Sequence, residues 1–166
     1  TYTVTARYED DANIGTESAT LTITAKKIAA PAADATVYTY TGGAQTYKIA
    51  ASADYTVSGG TQTNANESGY TVTVALTDKA NTAWTDGTTA DKTYSFKIMK
   101  AAPTGTPTYT AINASGKTLA DAALAVGGIT PAGGTITWDM ATTTLVAANT
   151  AYSWTYTPTD TANYNK

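Results

Sequence analysis

Cysteine and histidine are both absent from this sequence of 166 residues, and methionine occurs only twice. Without Cys there is no disulfide framework and no thiolate metal site. Without His the chain lacks the commonest general base and a frequent metal ligand. No Ser lies in a nucleophile-elbow pattern, and the carboxylates are scattered over turn segments. We therefore expect a protein that is not an enzyme and that carries no cofactor and no metal.

Charged residues are also scarce, at 14% of the chain, and the net charge is −3. This composition provides no basic surface for nucleic acid or for anionic lipid. No apolar run is long enough to cross a bilayer. We expect neither nucleic-acid binding nor membrane insertion. The sequence begins without Met or a signal peptide, which is typical of an internal piece of a longer protein.

Threonine makes up more than a fifth of the residues and tyrosine occurs 12 times, a composition that favours sheets with one packed face and one wet face. A repeat organises these residues into three copies: residues 2–13, residues 70–81 and residues 152–163. Counted from the first Tyr of each copy, the same residues recur at offsets 3, 8, 10 and 11, namely Thr5, Thr73 and Thr155; Asp10, Asp78 and Asp160; Ala12, Ala80 and Ala162; and Asn13, Asn81 and Asn163. The spacing predicts tandem modules of about 70 to 80 residues.

The first copy shows the period of a strand. Apolar and polar residues alternate over residues 2–8, which places one set on a single face. A loop is expected from Glu9 to Glu17, and alternation at Leu21, Ile23 and Ala25 predicts a second strand. Residues 26–33 lack alternation and contain Pro31, so they are expected to be a linker.

The second copy predicts a strand over residues 70–76, with Tyr70, Val72, Val74 and Leu76 on the inward face. Alternation over residues 94–98 predicts the strand that closes the module. Short strands separated by Gly turns, without a long helix signal, are typical of a β-sandwich.

These patterns divide the chain into three parts. Residues 1–27 are expected to be the terminal strands of a preceding module. Residues 34–100 form a complete β module, and residues 107–166 form a β module that lacks its last strand. Residues 117–126 are rich in Ala and are compatible with a strand or a short irregular segment.

Four segments carry a resemblance to a known class of repeat. They are Tyr40-Thr-Gly-Gly, Tyr55-Thr-Val-Ser-Gly, Gly69-Tyr-Thr-Val-Thr-Val and Asp160-Thr-Ala-Asn-Tyr. They resemble the tandem immunoglobulin-like or MBG-type repeats of large bacterial cell-surface proteins. The resemblance implies an all-β fold of tandem Ig-like β-sandwich modules, with a β-grasp-like fold as the alternative for the third module. It also implies an extracellular position on a bacterial cell surface, with adjacent modules of the same protein as partners.

The expected function is a non-catalytic structural repeat that acts as a stalk, a spacer or an adhesin region. A first alternative is a self-assembling filament, in which the open third module accepts the Leu21-Thr-Ile23 strand of a neighbouring chain, head to tail. A second alternative is a carbohydrate- or mucin-binding module. Trp84 is its candidate ligand-binding residue, because it falls in a predicted loop whereas Trp138 and Trp154 fall on predicted inward faces.

The Asp and Asn of the repeat suggest two structures. With Asp10, Asp11 and Glu17 nearby, the first copy has several oxygen ligands of the kind calcium prefers. The second and third copies replace the extra acid with Lys79 and Thr161. The favoured interpretation is therefore a loop in which the Asp and Asn side chains bond their own backbone.

Overall fold

The computed structural model describes residues 2–12 and 14–166, and this part of the chain is all-β, as the sequence predicts. It contains no α-helix and nothing with the length and apolarity that a helical membrane span requires. Asn13, the last repeat position of the first copy, lies outside the described residues. The strands are β1 (Tyr2–Glu9), β2 (Ile14–Leu21), β3 (Lys26–Ile28), β4 (Tyr38–Thr39), β5 (Gln45–Thr46), β6 (Tyr55–Ser58), β7 (Thr61–Gln62), β8 (Asn66–Leu76), β9 (Thr82–Trp84), β10 (Lys92–Met99), β11 (Thr104–Gly105), β12 (Ile129–Thr130), β13 (Thr135–Trp138) and β14 (Trp154–Thr157), and one 3-10 helix spans Leu119–Ala122.

The strands form several small sheets. The largest has four strands in the order β4-β10-β8-β6, in which β4 is parallel to β10 and β6 is antiparallel to β8. Two-stranded antiparallel sheets are formed by β1 with β2, β5 with β7, β11 with β12, and β13 with β14. Strands β3 and β9 pair in parallel.

The contacts divide the chain into two compact units. The first contains the described residues up to Ala32, together with Ile49–Ser58 and Thr73–Thr93. The second contains Ala33–Lys48, Gly59–Val72 and Tyr94–Lys166. These boundaries cut across residues 34–100, so the division of the chain into modules stays a prediction.

In the first unit, the core lies between β9 and the second half of β8. Trp84, Val74 and Leu76 are buried, and the rings of Trp84 and Tyr55 lie 6.1 Å apart. Ile28 of β3 is buried opposite Trp84. Burying large side chains of this kind supplies most of the stability available to such a small core.

The ribbon of β1 and β2 belongs to the same unit, but it is exposed on both faces. Its register pairs Tyr2 with Leu21 and Glu9 with Ile14. The predicted alternation over residues 2–8 is confirmed. The predicted loop from Glu9 to Glu17 is wrong, because β1 extends to Glu9 and the antiparallel register then requires its partner to start at Ile14.

In the second unit, an aromatic cluster forms one part of the core. Phe96 lies 5.3 Å from Tyr38, 5.4 Å from Tyr47 and 5.6 Å from Tyr70, measured between ring centroids. The inward faces predicted for residues 70–76 and 94–98 are confirmed, since Val72 and Ile98 are fully buried.

A second part of this unit's core surrounds Tyr156, which is buried together with Leu119 and Ile129. The Tyr156 hydroxyl donates to the carbonyl oxygen of Pro131 at 2.7 Å. The ambiguous residues 117–126 contain the 3-10 helix, capped by Ala123 in a left-handed conformation, and isolated β-bridges at Thr118 and Ala125.

Residues 26–28 form β3, where the sequence predicted a linker without a strand. The pairing is long-range, because Lys26 lies opposite Thr82 and Ile28 lies opposite Trp84. Three residues are too few to display alternation, so the sequence carries no signal for this strand.

The turn at Gly59 provides a test of the fold. Gly59 has a φ of +74°, and a Cβ at this position would lie 2.4 Å from the Thr71 carbonyl oxygen. Gly42 has a similar φ of +82°, but a Cβ there would meet open space. We expect Gly42→Ala to lower the free energy of unfolding by about 1 kcal/mol through backbone strain alone, and Gly59→Ala by about 2 to 4 kcal/mol. Urea denaturation measures both, and equal losses would contradict the close approach.

Candidate functional site

Trp84 occupies a different place from the one the sequence suggested. It ends strand β9 and is fully buried, and its Nε1–H donates to the carbonyl oxygen of Ala90 at 2.7 Å. The expectation of a loop aromatic available to a ligand is therefore wrong. The parallel pairing of β9 with β3 places the ring opposite Ile28, inside the first unit.

The other two tryptophans also differ from expectation. Trp154 is 37% exposed at the start of β14, although the repeat aligns it with the fully buried Val72. Trp138 is half-buried on β13, and its Nε1–H donates to the carbonyl oxygen of Leu119 at 3.1 Å. Trp154 is thus the tryptophan that presents its ring to solvent.

Trp154 borders a groove in the second unit with a volume of about 890 Å³. Its apolar wall includes Tyr109, Ile112, Leu124 and Val146, and no charged residue lines it. Tyr109 is 66% exposed. The groove is therefore an uncharged apolar surface in contact with water.

The repeated Asp and Asn form a closed loop in the second and third copies. Asp78 Oδ1 accepts from the backbone N–H of Ala80 and Asn81, and Asp78 Oδ2 accepts from Asn81 Nδ2 at 2.8 Å. Hydrogen bonds from the side chain and then the backbone of Asn81 lower the pKa of Asp78 below its ordinary value. In the third copy, Asp160 accepts from the backbone and Nδ2 of Asn163 in the same way. The self-bonded loop favoured by the sequence is confirmed for these two copies.

Asn163 makes one further bond that links distant parts of the sequence. Its Oδ1 accepts from the backbone N–H of Ala65 at 2.7 Å, and Asn163 itself is buried. Asn81 is exposed, and the bonds of its side chain go to Asp78. The same loop is therefore a solvated turn in one copy and a contact point in another.

Two other contacts surround this bond. The rings of Tyr40 and Tyr164 meet edge to face, with centroids 5.3 Å apart. Lys100 Nζ donates to the carbonyl oxygen of Thr161 at 2.8 Å. We call this set of contacts, centred on Asn163 and including Ala65, Tyr40, Tyr164 and Lys100, the Asn163 joint.

The backbone carbonyl oxygen of the Asn accepts a hydrogen bond from a distant segment in both copies. Lys26 N donates to the carbonyl oxygen of Asn81 at 2.9 Å, and Ala101 N donates to that of Asn163 at 2.9 Å. In both copies the residue that donates this bond also forms a parallel pair with the residue after the Asn. Lys26 pairs with Thr82, and Ala101 pairs with Tyr164. In both copies the carbonyl oxygen of the Asn thus accepts a backbone hydrogen bond from a segment distant in the sequence.

The acidic residues of the described part mainly organise loops. No group of three or more of them could hold a metal ion there. Asp34 accepts from the hydroxyls of Thr36 and Tyr38 at 2.6 and 2.5 Å and from the backbone N–H of Lys48 at 2.8 Å. These bonds hold the pKa of Asp34 far below its ordinary value, and the bond from the Thr36 hydroxyl lowers the pKa most.

Comparison of this chain with protein-family models, curated proteins and solved structures finds no match.

The Asp34 network predicts a pH dependence. Because the pKa in the folded state is lowered, the ionised carboxylate stabilises the fold above the unfolded-state pKa of about 4, and this contribution is lost as the pH falls through the folded-state value. We expect Asp34→Asn to lower the free energy of unfolding most near neutral pH, with a difference from wild type that shrinks below about pH 4. Urea denaturation at a series of pH values measures this difference.

Glu67→Gln is the matched control, because Glu67 is an exposed carboxylate on β8. We expect its effect on stability to be small throughout the series. If Asp34→Asn behaved like Glu67→Gln at every pH, the network would not stabilise the fold.

Proposed function

We propose that this chain is a non-catalytic structural region of a bacterial cell-surface protein, built from tandem immunoglobulin-like β modules that serve as a spacer. The Asn163 joint carries this proposal. A spacer keeps a distal part at a defined distance only when successive modules are held in a defined orientation. The joint supplies directional contacts between residues that the proposal assigns to successive modules, residues 34–100 and residues 107–166.

The hydrogen bond between Asn163 and Ala65 is suited to this role. The loop fixes the position of the Asn163 side chain, because Asp160 holds both its Nδ2 and its backbone N–H. Its Oδ1 is thereby presented to the backbone of Ala65, which lies 98 positions away in the sequence. A bond to a backbone group has a strict geometry, so it restricts orientation as well as distance.

The contacts beside that bond restrict the relative orientation of the two segments further. The edge-to-face pair of Tyr40 and Tyr164 contributes apolar contact and a preferred ring geometry. Ala101 is bonded on both sides, since its N–H donates to Asn163 and its carbonyl oxygen accepts from Asn165 at 2.9 Å. Ala101, in the proposed linker, is therefore held by an isolated parallel β-bridge to Tyr164, unlike a free tether of the kind that permits wide motion.

The repeat and the composition also support a structural role. The resemblance of Gly69-Tyr-Thr-Val-Thr-Val and Asp160-Thr-Ala-Asn-Tyr to surface-protein repeats implies tandem modules. Three carboxylates accept hydrogen bonds from the backbone N–H groups of neighbouring loop residues, namely those of Asp34, Asp78 and Asp86. Such bonds commit these side chains to the loops.

Removing the Asn163 side chain tests the joint. In Asn163→Ala the Ala65 N–H loses its acceptor, and leaving a partly buried donor unsatisfied costs about 1 to 3 kcal/mol. We expect the Ala65 amide to exchange with solvent about ten times faster or more, measured by hydrogen exchange in NMR spectra.

Asn81→Ala is the matched control. It removes the equivalent loop bonds to Asp78 and leaves the Ala65 bond intact. We expect it to destabilise its own loop without accelerating exchange at Ala65.

Small-angle scattering of the same variants tests the consequence for a spacer. We expect wild type and Asn81→Ala to fit a narrow distribution of dimensions, and Asn163→Ala a broader one. A broad distribution for the wild-type chain would overturn the spacer proposal even if the exchange result held.

A further inference from the structure

The ribbon of β1 and β2 carries an apolar face that the described structure leaves in water. Tyr2, Val4 and Leu21 share this face, because Tyr2 pairs with Leu21 and Val4 pairs with Ala19. Tyr2, Val4 and Leu21 are 62%, 57% and 54% exposed. A two-stranded ribbon is only marginally stable alone in water, so covering this face would stabilise it.

The opposite face of the ribbon is polar except for Ile14, which pairs with Glu9 at one end. Thr5 and Ser18 pair across the strands, with their hydroxyl oxygens 3.1 Å apart. Arg7 forms an ion pair with Glu9 at 2.6 Å on the same face. The ribbon therefore has one face suited to packing and one suited to water. Glu17 lies on the apolar side opposite Ala6, and it separates the end that carries Tyr2 and Leu21 from the exposed ring of Tyr8.

Strand β14 has the complementary feature. Among the described strands it pairs only with β13, so no described strand occupies its other edge. The corresponding strand of the second copy, β8, lies between β6 and β10. Val72 on β8 is fully buried, whereas Trp154 at the same repeat position is 37% exposed beside the groove. The buried position thus lies on a strand with two paired neighbours, and the exposed one on a strand with a single paired neighbour.

We propose that a second copy of this chain supplies that strand, with the ribbon of one copy adding through β2 to the open edge of β14 in another. The apolar end of the ribbon then covers the groove beside Trp154 and Tyr109. The combined sheet has the order β13-β14-β2-β1, four strands as in β6-β8-β10-β4. Backbone bonds along β14 supply the register, and the alternate side chains Val4 and Tyr2 supply the apolar contact.

The exposed areas are compatible with a specific but weak contact. Aromatic side chains bury about 150 to 250 Å² each, so covering Tyr2, Val4, Leu21, Tyr109 and Trp154 removes on the order of 500 Å² from water. This is the total over both partners, whereas stable interfaces bury about 1,600 Å² in total, so association requires high concentration. The groove has no charged lining residue, so the contact removes water from no charge on the groove side.

The ribbon and the groove are different surfaces, so the proposed contact is heterologous. In the head-to-tail arrangement that we propose, each copy that uses its ribbon offers its groove to a further copy, and the association continues beyond a dimer. This inference is independent of the Asn163 joint, which lies within one copy.

Light scattering over about 1 μM to 1 mM, the range of weak complexes, tests the association. We expect the average mass of the wild-type chain to rise with concentration beyond that of a dimer. Val4→Asp places a charge on the apolar face and is expected to abolish the rise. Thr5→Asp places the same charge on the polar face of the same strand and is expected to leave it unchanged. A wild-type chain that stays monomeric throughout would overturn the proposal.

A mixing experiment identifies the surface that receives the ribbon. Tyr109→Asp charges the groove at an exposed position, and we expect this variant to be monomeric with an unchanged near-ultraviolet circular dichroism spectrum. Val4→Asp retains an intact groove and Tyr109→Asp retains an intact ribbon, so an equal mixture of the two is expected to form dimers and to stop there. Self-association of Tyr109→Asp alone, or a mixture that stays monomeric, would overturn the assignment of the groove.

Discussion

A β-strand with one apolar face is stable only when something covers that face, and the three copies of the repeat differ in what covers it. In the second copy β8 lies between two strands, and Val72 and Val74 are fully buried. In the third copy β14 has one described neighbour, and Trp154 remains partly in water. In the first copy the equivalent face, at Val4, is mostly exposed. The same alternating pattern therefore contributes to a core between two strands in the second copy, and to a groove and an open ribbon in the two copies where the strand has one paired neighbour.

The loop that follows each strand shows the same dependence on surroundings. Asp78 with Asn81 and Asp160 with Asn163 form closely similar local hydrogen bonds. The local geometry is set by sequence, since short Asx side chains readily bond their own backbone. Whether the Asn then also bonds a distant segment depends on which group lies opposite its Oδ1. Ala65 takes that place for Asn163, and the loop acquires a structural role without any change of motif.

Much of the fold could be predicted because it depends on local periodicity. Alternation identified β1, the second half of β8 and β10, and the Asp and Asn spacing identified the closed loops. The predictions failed where burial depends on a distant strand. Trp84 was placed in a loop because its partner, Ile28, lies in a segment too short to show a pattern. Trp154 was placed in a core because its repeat position is buried in the second copy, although no described strand covers it in the third. The joint could not be predicted, since nothing in the sequence around Ala65 distinguishes its backbone N–H.

The two kinds of contact proposed for this chain, a hydrogen bond within one copy and an apolar contact between copies, have different physical properties and suit different roles. Hydrogen bonds are directional, and a single bond such as that of Asn163 to Ala65 fixes an orientation while contributing little net free energy. Apolar contact is not directional, and it supplies free energy in proportion to the area covered. A joint inside one chain needs orientation most, because covalent connection already keeps its two sides together. A contact between copies must first overcome the loss of translational freedom, so it requires an apolar surface, with strand addition at β14 providing the register. The polar joint and the apolar ribbon are therefore suited to different tasks: the first to holding modules in line, and the second to connecting one chain with the next.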